Sequence, residues 1–196
     1  MYSRSRFEAL TDGVFSVAMT LLVIDVRLPD ATARNAAAFI EALRALEPKL
    51  LAYAMSFFVL GASWLAKVVA QKRSETVGRR EALLTLGYLF LVTLTPFSTM
   101  ALSADSLRAG PDILPAVWIY CGNLGAMGLI ATLIQLTRRA HAPDEAPSSI
   151  VSPLLLFVAG LMAAGIAALG SNYWALAFLI TILGAPSDRR AEIAGG

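Results

Sequence analysis

The stretch that decides the fold is residues 7–28, which read FEALTDGVFSVAMTLLVIDVRL. It is long and apolar enough to cross a hydrocarbon core of about 30 Å, which takes about 20 helical residues. It nevertheless contains the polar side chains of Thr11, Asp12, Ser16, Thr20 and Asp25. A charge inside a membrane helix costs roughly 2.5–3.5 kcal/mol on insertion scales, so an acid retained there is a functional candidate. The stretch therefore predicts a transmembrane helix with a role beyond anchoring.

A helical arrangement of this stretch separates its aliphatic residues from its acid. At about 100° per residue, one face collects Val17, Thr20, Leu21, Ile24 and Leu28. Asp12 lies roughly 140° from Val17 by the same rotation, so the carboxylate belongs to a different face. The first face therefore combines aliphatic groups with a single hydroxyl.

The composition of the whole chain indicates an integral membrane protein. Of its 196 residues, 57% are hydrophobic and 15% are charged, and the mean hydropathy is +0.66. Soluble domains average about 45–50% apolar and about 25% charged residues. The net charge of +2 is small, and the sequence has no basic run that includes aromatic residues. We therefore expect no nucleic-acid partner.

Hydropathy predicts an all-α chain in which residues 1–196 form a single six-helix transmembrane domain. The last part of this domain, residues 187–196, is expected to be a flexible tail. The predicted spans are residues 7–28, 50–69, 82–102, 113–137, 150–169 and 173–183. The pattern of residues 29–49 predicts a short amphipathic helix, which could either rest on the membrane surface or extend the second span. No internal repeat of the first span occurs in the sequence.

Basic residues are distributed unevenly between the two predicted sides of the membrane. Eleven of the 16 Lys and Arg residues fall on the side that holds both termini, and five fall on the other. Since cytoplasmic loops carry an excess of Lys and Arg, both termini are expected in the cytoplasm.

Catalytic and cofactor motifs are not found in the sequence. It has no Gly-rich phosphate loop, no plausible Ser/His/Asp arrangement and no cluster with metal-ligand spacing. We therefore expect neither an enzyme nor a bound cofactor.

A motif at the start of the first span resembles that of a known family. Arg6, Leu10, Thr11 and Asp12 follow the spacing of an Arg-x-x-x-Phe-Ser-Asp motif, with Leu for Phe and Thr for Ser. Thr20-Leu21-Leu22, Trp64, the Thr95–Ser98 step and Asn123 are also similar, whereas Lys67 stands where His is common. The chain thus resembles a prokaryotic member of the endolysosomal potassium channel family, transmembrane protein 175, over most of its length up to about residue 143.

The resemblance implies a potassium-permeable channel in the bacterial inner membrane, built as a homotetramer whose first helices line a central pore. It places the constriction and selectivity residues at Val17, Thr20, Leu21 and Ile24. Potassium would pass near Thr20 without a fixed metal site, and the partners would be monovalent cations, the lipid bilayer and further copies of the chain. The sequence independently lacks a Thr-Val-Gly-Tyr-Gly-like run for a re-entrant carbonyl filter. We interpret Arg6, Leu10, Thr11, Asp12 and Trp64 as a structural network that holds the first helices in register.

Two other functions are compatible with the residues alone. One is a proton-coupled secondary transporter that uses Asp12, although a single deep acid and the absence of a repeat within the chain count against it. The other is a non-transporting membrane scaffold, which leaves the polar face of the first helix unexplained. Val17, Leu21 and Ile24 could likewise be ordinary core or lipid-facing residues. The hydroxyl of Thr20 could donate a hydrogen bond to the carbonyl of Ser16 in its own helix.

Overall fold

A computed structural model describes residues 2–27, 36–69, 76–106, 114–141, 151–168 and 177, and in these ranges the chain is almost entirely helical. The long helices are α1 (Arg4–Leu21), α2 (Ala36–Val69), α3 (Arg79–Ser106), α4 (Leu114–His141) and α5 (Val151–Ala168). Two short strands, β1 (Tyr2–Ser3) and β2 (Thr76–Val77), pair antiparallel with Tyr2 opposite Val77.

Four of these helices are long and apolar enough to cross a membrane. The candidate spans are Arg4–Asp25, Ala36–Val68, Arg79–Ser103 and Leu114–Ala140, and α5 contributes a shorter apolar segment, Pro153–Ile166. The predicted helical, multi-pass membrane architecture is confirmed at this level. Apart from residue 177, the sixth predicted span, 173–183, and the predicted tail, 187–196, lie outside the described residues.

The ends of the first two helices differ from the predicted spans. The α-helical part of α1 ends at Leu21 and continues as a 3₁₀ segment, Leu22–Asp25. Helix α2 begins at Ala36 and includes Pro48, so the amphipathic stretch extends the second span instead of forming a separate surface helix. With 34 residues and a rise of 1.5 Å per residue, α2 is about 51 Å long and must project beyond a hydrocarbon core of about 30 Å.

The core lies where α3 and α4 meet α1 and α2. Its largest fully buried side chains include Phe15 of α1, Leu60 of α2, Tyr88 of α3, and Tyr120 and Met127 of α4, together with Leu124. The rings of Phe15 and Tyr88 pack with their centroids 6.1 Å apart. Helix α1 is therefore held against the bundle by one apolar face.

Helices α4 and α5 approach each other closely through glycines. A Cβ atom added at Gly128 would lie 2.3 Å from the backbone nitrogen of Phe157, and one added at Gly160 would lie 2.7 Å from Cα of Gly125. Small residues allow backbones in a membrane to come this near. The two helices can pack in this way because these positions carry no side chain.

Hydroxyl groups link the middle of the bundle. The Oγ atom of Ser56 in α2 lies 2.8 Å from Oγ1 of Thr99 in α3 and 3.0 Å from the hydroxyl of Tyr120 in α4. The amide Nδ2 of Asn123 donates to Thr95 Oγ1 at 3.1 Å. Since polar groups in an apolar environment need partners, these bonds favour one mutual arrangement of the three helices.

Candidate pore-lining helix

The residues that the resemblance assigns to the constriction share the exposed face of α1 and of the 3₁₀ segment that continues it. Val17 is 56% exposed, Ile24 49% and Leu21 43%, and Thr20 is also exposed. The opposite face is buried and carries Phe15, Ala18 and Leu22. The outward face is mainly apolar, so within a membrane it can be covered by lipid or by further copies of the chain.

The hydroxyl of Thr20 bonds back to its own helix. Thr20 Oγ1 donates to the carbonyl oxygen of Val17 at 2.8 Å, so the alternative of a bond to the backbone is observed, with Val17 instead of Ser16 as the acceptor. A hydroxyl has one hydrogen and two acceptor lone pairs. Because the backbone takes the hydrogen, the lone pairs of this exposed residue's oxygen are chemically able to contact a cation.

The acid of the first-helix motif is tied to α2. Trp64 Nε1 donates a hydrogen bond of 2.9 Å to Asp12 Oδ1, which joins α1 to α2. Thr11 Oγ1 donates to the Phe7 carbonyl at 2.7 Å. Arg6 and Leu10 are exposed, and among the described residues no hydrogen bond or ion pair to the Arg6 side chain is found. The structure thus brings Asp12 and Trp64 together and leaves Arg6 and Leu10 on the outer surface of the chain.

A cluster that the sequence did not reveal lies at the start of α1. Arg4 is buried, and its Nη1 lies 3.5 Å from Glu81 Oε1 while its Nη2 donates to the Thr76 carbonyl at 3.2 Å. Arg138 Nε donates to the same oxygen of Glu81 at 2.6 Å. One carboxylate at the start of α3 therefore joins the first residue of α1 to the last turns of α4. The only sequence signal is an acid, Glu81, directly after Arg79 and Arg80, and it does not identify the partners.

Lys67 turns inward beside this cluster. Its Nζ atom lies 4.0 Å from the centroid of the Tyr88 ring, a distance typical of a cation–π interaction. The lining of a cavity beside the cluster includes Arg4, Asp12, Lys67, Glu81 and Arg138.

The paired groups come from the start of α1, the end of α2, the start of α3 and the end of α4. These ends therefore lie on one side of the bundle. The sequence analysis, which counted Lys and Arg on each side of the membrane, also assigns them to one side. The cytoplasmic assignment of that side stays a prediction.

Comparison with known proteins identifies the family. Residues 6–96 match the family model described as endosomal/lysosomal potassium channel TMEM175. A potassium channel of Streptomyces collinus is 32% identical over 154 residues, which cover 76% of this chain and 73% of that protein. The chain belongs to the TMEM175 family. The matched residues 6–96 include every residue that we assigned to the constriction and to the motif network.

Other TMEM175 relatives differ in length and in name. A potassium channel of Chamaesiphon minutus is 31% identical over 128 residues, covering 64% of this chain and 61% of that protein. The human endosomal/lysosomal proton channel TMEM175 is 37% identical over 154 residues, but these cover 30% of the human protein. All of these relatives are named as channels, so the comparisons indicate no enzyme family.

The fold agrees with that of a solved family member. The crystal structure of a lysosomal potassium-selective channel TMEM175 homolog from Chamaesiphon minutus superimposes with a TM-score of 0.69. The match covers 91% of this chain and 97% of that chain at 23% sequence identity. The similarity therefore extends to the architecture of nearly the whole chain.

Proposed function

We propose that this chain is a subunit of a potassium-permeable cation channel. In the proposed assembly, four copies place their α1 helices around a central axis, and Val17, Thr20, Leu21 and Ile24 form the narrowest part of the pore. The observation that carries this proposal is the exposed face of α1 and its 3₁₀ continuation, where three large aliphatic side chains accompany a hydroxyl. Membership of the TMEM175 family and the names of the potassium channel relatives support it.

Physical chemistry gives this face two effects on a permeating ion. A ring of aliphatic side chains offers a partly dehydrated cation no ligands, so it restricts flow by dewetting. A ring of Thr20 oxygens beside it supplies dipoles that replace part of the hydration shell. Potassium loses its shell more readily than sodium, so we expect a modest preference for potassium, without a re-entrant filter.

The contacts around α1 fit a helix that must be held in register. The hydrogen bond from Trp64 to Asp12 fixes the rotation of α1 relative to α2. In the proposed tetramer, Arg6 and Leu10 on the exposed side of α1 face neighbouring copies and complete the motif network. We place the protein in the bacterial inner membrane with both termini in the cytoplasm, as the distribution of Lys and Arg favours.

Flux from purified protein in liposomes tests the proposal. With a potassium gradient, we expect potassium efflux that follows the membrane potential and does not depend on a proton gradient. Thr20→Ala should weaken the preference for potassium over sodium, and Val17→Asn should increase leak because it makes the aliphatic ring wettable. Unchanged flux in both variants would place the pore on a different face.

Proton conduction is the second candidate, because the human relative is named a proton channel. A pH-sensitive dye inside the same liposomes distinguishes the two ions. Proton entry without added potassium would favour proton conduction, whereas obligatory coupling of the two fluxes would favour the transporter that uses Asp12. Liposomes without either flux, at a confirmed protein content, would favour the scaffold.

A further inference from the structure

Polar contacts also hold the end of α1 that is opposite the Arg4 cluster. Asp25 is the last residue of the 3₁₀ segment. Its Oδ2 accepts a hydrogen bond of 2.5 Å from Ser103 Oγ in α3, and its Oδ1 lies 3.9 Å from Lys49 Nζ in α2. Ser103 is buried, and the side chains of Lys49 and Asp25 are 24% and 29% exposed. One carboxylate therefore connects the end of the first span to two neighbouring helices.

The end of the helix by itself does not favour an acid at this position. The free carbonyls at a helix C-terminus carry partial negative charge and attract cations. Arg27 meets that requirement, because its Nε donates to the Ile24 carbonyl at 2.8 Å. An acid in the same turn is repelled by the carbonyls, so its place is explained by Ser103 and Lys49.

The 3₁₀ geometry determines what this attachment controls. With three residues per turn, side chains at i and i+3 are eclipsed, so Leu22 and Asp25 share a face. Leu22 is 3% exposed, whereas Val23 and Ile24 are 50% and 49% exposed. A continued α-helix would rotate Asp25 about 60° away from Leu22, given 3.6 residues per turn. The inward pair Leu22 and Asp25 thus determines the direction in which Ile24 points.

We propose that Asp25 is a positioning residue for the constriction. Held by Ser103 and Lys49, it keeps residues 22–25 in the 3₁₀ conformation and so fixes Ile24. This inference rests on the proposed function, because it takes Ile24 as part of the pore. Without the carboxylate contacts, Leu22 holds the segment by apolar packing, and Ile24 turns away from the axis as the segment relaxes toward α-helical twist.

Cysteine cross-linking between copies measures the placement of Ile24 directly. A disulfide forms only when the two Cβ atoms are about 3.5–4.5 Å apart. Since the proposed pore brings Ile24 of different copies together at its axis, Ile24→Cys in a Cys121→Ala background should form oxidised dimers in membranes. Adding Asp25→Ala or Ser103→Ala should reduce the cross-linked fraction severalfold. Ser103→Thr keeps the hydroxyl and should retain cross-linking. Glu47→Gln is the charge control, because it removes an exposed acid two residues before Lys49 in α2. This variant should also retain cross-linking.

Leak supplies the second measurement. In liposomes, with the native Ile24, Asp25→Ala and Ser103→Ala should increase leak severalfold because the aliphatic ring loses Ile24, while Ser103→Thr and Glu47→Gln should leave the leak unchanged. If Asp25→Ala does not yield folded protein, Ser103→Ala decides the matter, because it removes one oxygen atom.

The outcomes separate this inference from the proposed function. Equal cross-linking and equal leak in all variants would overturn the role of Asp25 and leave the channel proposal intact. Potassium flux without cross-linking of Ile24→Cys in its parent background would remove Ile24 from the axis, and the inference with it.

Discussion

At the scale of single residues, the contact between Asp12 and Trp64 explains how a carboxylate is retained in a membrane helix. The indole nitrogen donates directly to the acid at 2.9 Å. A hydrogen bond to a charged group contributes about 1.5–3 kcal/mol, compared with about 0.5–1.5 kcal/mol for a neutral pair. Asp12 is exposed on the single chain, and the bond engages one of its oxygens with α2, which favours a packing role for this acid over a role as an ion ligand.

Asp12→Asn therefore should lower the yield of the assembled oligomer and leave ion preference unchanged. The amide oxygen of Asn can still accept a hydrogen bond from Trp64. We therefore expect the contact to stabilise the packing of α1 on α2 by about 1 kcal/mol less, which is the difference between a charged and a neutral hydrogen bond. Trp64→Phe removes the donor and should have the larger effect, while Trp118→Phe, at a position 55% exposed on α4, is the matched control. Size-exclusion chromatography measures the oligomer fraction. Normal assembly with altered selectivity would count against this role for Asp12.

At the scale of helices, the packing of α4 on α5 depends on positions that lack a side chain. Gly128 faces the backbone of α5, with the nearest α5 atom 2.3 Å from where its Cβ would lie, whereas Gly122 on the same helix has no atom within 4 Å. The obstructing atoms belong to the backbone, so they cannot move without shifting the helix. A side chain at Gly128 therefore collides with α5, whereas a side chain at Gly122 has room.

Gly128→Ala should destabilise the protein, by about 1–3 kcal/mol as in other overpacked cores. Gly122→Ala should be neutral or stabilising by about 0.5–1 kcal/mol, because alanine favours the helix over the unfolded chain. The fraction of monodisperse protein that remains after heating in detergent reports both effects. Equal melting of the two variants would show that α5 does not pack on α4 at Gly128.

At the scale of the whole molecule, Glu81 connects three helices and the short sheet. Two guanidinium groups share one of its oxygens, and the side chains of Arg4, Glu81 and Arg138 are 10%, 11% and 16% exposed. Arg4 also donates to the Thr76 carbonyl in β2. With Asp25 attached at the other end, α1 is held by charge at both ends and by apolar packing between them.

Glu81→Gln should lower the stability of the whole bundle. Removing one member of a buried ion pair typically costs about 3–5 kcal/mol, because the remaining charges lose their partner. Glu41→Gln, an identical change at an exposed position of α2, should have little effect. Thermal unfolding followed by tryptophan fluorescence measures both. A Glu81→Gln melting temperature equal to that of the parent protein would mean that the cluster is dispensable.

The sequence by itself determined the features that depend on neighbours along the chain. The apolar length of residues 7–28 specifies a span, and the helical period brings Val17, Thr20, Leu21 and Ile24 to one side, because both are properties of a single helix. The resemblance of the Arg6–Asp12 motif likewise led to the family that the comparisons show. The boundaries were less predictable, since continuation of α2 through Pro48 and the switch of α1 to a 3₁₀ segment depend on surrounding contacts.

The tertiary structure alone decided which charged and polar groups meet. Arg4 lies 77 positions from Glu81, and Asp25 lies 78 positions from Ser103. No periodicity of a single helix relates residues so far apart. Their pairing follows from the order, rotation and spacing of packed helices, and these are set by contacts such as Phe15 with Tyr88 and Gly128 with Phe157.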